Sequence, residues 1–369
     1  MPNVLVLNAG SSTLKWTVLD AETEGLVTDG STSWEGTEGG RHEDAIPAVL
    51  RDLPHVDAVG HRVVHGGASL REAVLLDGRT RQLIADLCEL APLHNPAALA
   101  GIDATLKALP DVPQIAAFDT AFHATIPEAA AVYPIPWDWT ERWGLRRFGF
   151  HGLSVQYAVR RSRELLGGLP RCLVVCHLGS GCSVTAVLEG RSVDTSMGFT
   201  PMEGLMMARR SGSVDPGLIM HLLKHADIAL ADVDRSFNEN SGLVGVSGIS
   251  DDWRAVHAAA AAGNERAALA TAMFLHRLVA AVGGMAATLG GLDALVFTGG
   301  IGEHSPAVRE AVAAGLGFAG VRLARPLDAS GAGDRDVSAS DSSTRVLVIG
   351  AREDLTVLAD VRRLVLDVQ

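Results

Sequence analysis

With 369 residues, 47% of them hydrophobic and 20% charged, the chain exceeds what one core ordinarily supports and carries ample apolar material for buried parallel strands in two domains. A formal net charge of −12 argues against a nucleic-acid or anionic-membrane surface, so any anion site has to be built locally. The longest uncharged run, Cys172 to Leu188, is 17 residues and is split by a Gly-Ser turn, short of a spanning helix. Met1-Pro2-Asn3 leads into a strand with no basic region or long apolar segment, which points to a cytoplasmic protein. Cys88, Cys172, Cys176 and Cys182 read as reduced thiols, because Cys172 and Cys176-His177 lack the paired spacing of a zinc site.

In chain order, Val4 to Asp20 reads as strand, small-residue turn (Asn8-Ala9-Gly10-Ser11-Ser12) and alternating strand, with Lys15 just beyond the turn. Such a turn lets amides and hydroxyls converge on an anion, although an ordinary hairpin with a surface lysine fits the segment equally well. Residues 21–40 read as loop with at most a strand, His42–Leu53 as a helix and Val56–Val64 as a strand. Arg62 lies within that apolar strand and needs an anion, either a ligand or a paired carboxylate. Residues 80–108 are mainly helical, broken at Ala91–Pro96. Val112–Phe118 is a strand with Asp119 at its C-terminal end, where a carboxylate caps a helix or holds a metal.

A second hairpin, Leu173 to Glu189, repeats the first. An offset of 169 sets Gly10 on Gly179, Ser11 on Ser180 and Val18 on Val187, which indicates a duplicated domain with a junction near residue 150. Residues 194–216 read as a loop carrying Arg209 and Arg210, and 215–290 as helices interrupted at 247–254. A third glycine turn, Thr298 to Glu303, follows an apolar strand; Arg345–Ile349 is a last strand and Glu353–Leu366 a helix that packs back on the first domain.

Nine stretches, in order, resemble the acetokinase family over nearly the whole chain: Asn8–Ser12, Gly60–Gly67, His94–Pro96, Phe118–His123, Phe148–Gly152, His177–Gly179, Met197–Gly204, Gly212–Pro216 and Gly300–Glu303. The resemblance implies an α/β fold of two duplicated actin-like (ribonuclease H-like) domains facing a central cleft. Residues 1–150 would form the carboxylate side, with 351–369 packed on it, and 151–350 the nucleotide side. It also implies reversible transfer of the γ-phosphoryl of ATP to acetate, giving ADP and acetyl phosphate, by a cytoplasmic homodimer that uses Mg²⁺ or Mn²⁺. A propionate or other short-chain carboxylate kinase would share every motif, whereas a non-catalytic actin-like ATP-binding protein would have no reason to keep the arginines.

By the same resemblance Arg62 and Arg210 hold the carboxylate and the transferring phosphoryl, and His151 donates a hydrogen bond to it. Val64, Leu93, Phe150 and Pro201 surround the methyl group. Asn8, Asp119 and Glu353 position the metal; Asn8, Ser11, Ser12 and Lys15 belong to the first phosphate turn. His177, Gly179, Ser180 and Gly181 form the second, and Asp252, Trp253, Arg254, Gly300, Ile301 and Gly302 the nucleotide pocket. Five positions depart from the family pattern: Ser180 and His304 stand in place of asparagine, Arg209 in place of a small polar residue, and Arg352 and Asp354 flank Glu353 where the family has Asn-Glu-Glu.

Overall fold

The structure is a computed structural model that describes residues 1–10, 13–33, 41–92, 94–324 and 333–367. The chain divides into two compact units, the first made of 1–124, 150–157 and 352–369, the second of 125–149 and 158–351. Residues 125–149, expected in the first domain, therefore belong to the second. Their attachments explain it: Thr125 Oγ1 donates to Ser192 O at 2.8 Å, and Arg147 donates to the carbonyls of Thr195 and Met197 at 3.1 Å.

The first unit is built on strands β1 (Asn3–Ala9), β2 (Thr13–Asp20), β3 (Leu26–Ser33), β4 (Ala58–Val63), β5 (Val74–Leu75) and β6 (Gln114–Phe118), in the sheet order β3-β2-β1-β4-β6-β5. The central strands β1, β4 and β6 are mutually parallel, and β2, β3 and β5 run antiparallel to their neighbours, so the sheet is mixed. Burial of Val4, Leu5, Val59, Ile115 and Phe118 accounts for the apolar runs in these strands. The helices Arg41–Asp52 and Asn95–Ala108 pack together and close a core on Leu5, Leu14, Ile46 and Val59. The helix Glu353–Val361, continued as a π turn through Leu366, packs on β1, β4 and β6.

The second unit repeats this plan. Its strands β7 (Cys172–Leu178), β8 (Cys182–Leu188), β9 (Arg191–Thr195), β10 (Ala294–Thr298), β11 (Arg335–Asp336) and β12 (Arg345–Val348) are ordered β9-β8-β7-β10-β12-β11, with matching strand directions throughout. The match corrects the sequence alignment in one respect. Ala9 and Leu178 end the first strands 169 apart, but their register partners Leu14 and Cys182 are 168 apart, so the second turn is one residue shorter. With that correction the β-bulges coincide: the register shifts at Val18/Leu19 in the first copy and at Ala186/Val187 in the second.

The 25-residue helix Glu265–Leu289 is long and apolar enough by length and composition to cross a membrane, but it packs on β7 and β8 and buries Phe274, Leu278 and Val282. It serves as a core helix of the second unit.

Candidate functional site

In the first unit, parallel pairing carries Asn8, Arg62 and Asp119 to the same end of β1, β4 and β6. Arg62 Nε and Nη2 donate to Asp119 Oδ1 and Oδ2 at 3.0 and 2.6 Å, and Nη1 donates to Asn8 Oδ1 at 3.1 Å. Glu353, at the start of its helix, brings Oε2 within 3.0 Å of Arg62 Nε. Of the two readings of Arg62, the structure shows the paired carboxylate: the guanidinium lies between Asp119 and Glu353, with the Asn8 side-chain oxygen beside it. Asp119 is 1% exposed, and burial pushes its carboxyl up to about 6, opposed by Arg62 and reinforced by Glu353. Asp354 turns away from the cluster and binds Arg352 at 2.8 Å, so Glu353 is the acidic residue of the Arg-Glu-Asp triplet that joins Arg62.

His151 follows directly on the fully buried Phe150 and holds a left-handed φ of 60°. Two contacts fix it there. Gly152 N donates to Asp119 O at 2.8 Å, and a Cβ on Gly152 would lie 2.2 Å from that same oxygen. His123, which the motif reading left without a role, bonds Phe150 O through Nε2 at 2.9 Å; burial lowers its pKa to about 4, so it is neutral and donates. Phe150 also meets His65 edge-on at 5.5 Å. Val64 is half-buried beyond the end of β4, and Lys15 is exposed opposite Asn8. Ser11, Ser12 and Leu93 lie outside the described residues.

In the second unit the shorter glycine turn is closed by Gly179 N donating to Gly181 O at 3.0 Å, and Ala208 N donates to Ser180 O at 3.1 Å. A cavity of about 820 Å³ opens beside it, lined among others by Gly179, Ser180, Asp252, Trp253, Arg254, Gly300 and Ile301. Seven of the residues expected at the nucleotide thus come together. Gly302 is buried beneath, against Phe297, and neither it nor His177 nor Gly181 is among the lining residues. Asp252 caps the helix Trp253–Ala261 and pairs with Arg254 at 2.7 Å. Trp253 is only 4% exposed: its Nε1 donates to Ser305 Oγ at 3.0 Å and its ring stacks on His257 at 5.3 Å and 12°. His257 and His304 line the cavity, although only His304 could be singled out from a motif. Arg209 reaches Asp251 at the cavity wall at 2.8 Å.

Arg210 is half-buried, and its Nη1 donates to Pro201 O at 3.2 Å. Burial lowers its pKa, and the neighbouring Cys182 partly opposes this. Cys182 is itself pushed up to about 12 by burial and donates from Sγ to Gly179 O at 3.3 Å, so it is an inert thiol that braces the turn.

Glycine turns at equivalent places in two copies of one mixed sheet, one copy adjoining a cavity of about 820 Å³, define a duplicated fold of the actin-like class. The sequence profile of the acetokinase family matches residues 42–359. An acetate kinase of Nostoc punctiforme is 44% identical over 95% of this chain and 96% of its own length. Among solved structures, Porphyromonas gingivalis acetate kinase superposes with a TM-score of 0.92 at 35% identity, covering 98% of each chain. A propionate kinase of Francisella tularensis gives 0.91 at 32% identity over 99% of this chain and all of that one. The chain belongs to the acetokinase family.

Proposed function

We propose that the protein catalyses reversible phosphorylation of acetate by ATP, giving acetyl phosphate and ADP. The observation that carries this reading is the Arg62 cluster, an arginine surrounded by Asn8, Asp119 and Glu353 at one end of a parallel strand set. In the proposed reaction one acetate oxygen bonds to the γ-phosphorus while the bond from phosphorus to the β,γ-bridging oxygen breaks, and its electron pair leaves with ADP. The acceptor carboxylate is already ionised at pH 7, so no general base is needed. Arg62 and Arg210 orient the carboxylate and stabilise the charge on the transferring phosphoryl, and His151 donates a hydrogen bond to it. Val64, Phe150 and Pro201, with Leu93, enclose the methyl group.

The oxygen donors Asn8, Asp119 and Glu353 fit a hard cation such as Mg²⁺, with Mn²⁺ as a substitute. When bound, the metal would neutralise phosphate charge. We assign the ATP phosphates to Lys15 and the serines of the first turn together with the second turn, and the nucleoside to the cavity beside Asp252, Trp253, Arg254 and Gly300. We infer a cytoplasmic homodimer with no nucleic-acid or membrane partner. Self-association is supported by Leu218, Met220 and Leu230, which are 46%, 54% and 70% exposed on consecutive helices. Light scattering coupled to gel filtration tests it.

The reading is tested by acyl-hydroxamate formation with formate, acetate, propionate and butyrate under Mg-ATP. Acetate is expected to give a higher kcat/KM than butyrate, and the reverse order would overturn the assignment. Propionate is the second reading, favoured by the likeness to the Francisella propionate kinase. One methylene is worth only about 1–3 kcal/mol, so both acids should react.

A further inference from the structure

The loop between β9 and the helix Pro216–His225 carries Pro201 and Arg210, and it has no regular secondary structure to hold it. It is instead fastened side chain by side chain. Arg147 Nη1 donates to the carbonyls of Thr195, Ser196 and Met197 at 3.1, 3.3 and 3.1 Å, and its Nη2 donates to Glu203 Oε1 at 2.8 Å. The other carboxylate oxygen of Glu203 accepts from the Tyr133 hydroxyl, which in turn accepts from Phe199 N at 2.8 Å. Arg147 also lies over the Tyr133 ring, 5.6 Å from its centroid. Gly198 is the close-approach point, where an added Cβ would fall 1.7 Å from Glu203 Oε2 and 2.1 Å from the Tyr133 hydroxyl. The Glu203 carboxylate thus pins both limbs of the loop, and the apex Thr200-Pro201-Met202 is what remains between the pins. That apex presents the Pro201 carbonyl to Arg210.

We propose that Tyr133, Arg147 and Glu203 are positioning residues, setting the Pro201 carbonyl and through it the Arg210 guanidinium. The proposal rests on the role of Arg210 in holding the carboxylate and transferring phosphoryl. The cluster is built for fixity: a bidentate carboxylate between a guanidinium and a phenol is a strong, directional set of charge-assisted hydrogen bonds, with Arg147 only 16% exposed. A catalytic arginine on an irregular loop needs such support, because a displacement of about 1 Å can cost on the order of 10²-fold in rate. Two of the three come from outside the loop, Tyr133 and Arg147 from the segment 125–149, which gives that segment a reason to pack with the second unit.

The test is a double-mutant cycle. Glu203→Gln and Tyr133→Phe are each expected to lower kcat/KM for acetate by about 5- to 50-fold, while KM for ATP stays within about two-fold. In an Arg210→Ala background, measured by long-incubation hydroxamate formation, Glu203→Gln should lower activity by less than about two-fold further, because its route to the chemistry is already gone. Full additivity of Glu203→Gln and Arg210→Ala, with Arg210→Ala itself impaired, would overturn the positioning role and leave the assignment of Arg210 standing. Near-normal activity of Arg210→Ala would overturn both. Tyr133→Phe removes one hydroxyl and repeats the cycle if Glu203→Gln does not fold; activity of Tyr133→Phe equal to wild type would also overturn the proposal.

Discussion

Arg62 and Asp119 face each other from neighbouring parallel strands in a two-pronged pair, Nε to Oδ1 at 3.0 Å and Nη2 to Oδ2 at 2.6 Å. Arg62 is thereby held in one orientation; its Nη1 donates to Asn8 Oδ1 at 3.1 Å, and Glu353 Oε2 lies 3.0 Å from Nε as an ion pair. Removing it strips the compensation from a carboxylate that is 1% exposed. Arg62→Ala is expected to reduce turnover by at least ~10²-fold, the range for a lost transition-state donor. Lysine should rescue poorly, since a point charge cannot reproduce the fork. Steady-state turnover, with folding checked by circular dichroism, measures this; near-normal rates in the lysine variant would remove the role.

Asp119→Asn keeps an oxygen but loses a charge, so its half-saturating Mg²⁺ concentration should rise markedly, and Mn²⁺ should restore more turnover than Mg²⁺. Glu353→Gln should shift the same way more weakly. Asp354→Asn serves as the control, because Asp354 is engaged with Arg352. The raised pKa of Asp119, about 6, adds a sign. Below it a proton competes with the metal, so in the wild type the Mg²⁺ requirement should fall as pH rises from about 5 to about 7, and this dependence should flatten in Asp119→Asn. An unchanged metal requirement with an altered pH–rate profile would point to a general base.

Gly152→Ala should uncouple His151 from Asp119. The new methyl cannot coexist with the Asp119 carbonyl 2.2 Å away, so the left-handed His151 and the Gly152–Asp119 hydrogen bond have to relax together. A loss of about 1–3 kcal/mol in stability and a fall in turnover that exceeds any change in KM for ATP are expected. Crystallography of the variant would show whether His151 has moved; an unmoved His151 with full activity would contradict the linkage.

His61 offers a pH test of stability rather than of chemistry. Burial lowers its pKa from 6.5 to about 4, while its hydrogen bond to Gln114 Oε1 at 2.9 Å partly opposes the shift. Between those two values the unfolded chain binds the proton and the folded one does not, so stability falls as pH drops from about 6.5 toward about 4. Asp119, with its raised pKa, works in the opposite sense over an overlapping range. Comparing wild type with His61→Gln isolates the histidine: the variant's stability should change less steeply with pH, by up to about 1.4 kcal/mol per unit. Parallel pH profiles from urea unfolding would show that His61 takes up its proton in the folded state as well.

The duplicated hairpins were readable because their apolar runs and small-residue turns are local signals, and the 7-residue run Cys172–Leu178 is too short for a helix and is bounded by a Gly-Ser turn. Strand Leu26–Ser33 was nearly invisible because it is an edge strand whose side chains are all exposed or half-buried, and two-residue strands such as Val74–Leu75 carry no periodicity. The one-residue difference between the turns was hidden as well, since register is set by strand pairing rather than by letters. At the site, motifs supplied Arg62, Asp119 and Glu353. What they could not supply was that Trp253 is sealed behind His257 and Ser305, or that residues 125–149 attach to the second unit through Arg147, because these depend on contacts between distant segments.

The helix that brings Glu353 to Arg62 has a consequence for how the protein is made. Glu353 leaves the ribosome after Arg62 and the intervening second unit, so during synthesis the first unit waits with its β4 surface uncovered and the Arg62 cluster one carboxylate short. The cluster is completed only when the segment Glu353–Val361 docks. A nascent chain halted before that point would carry both glycine turns and the cavity beside Trp253, but an Arg62 cluster without its second carboxylate.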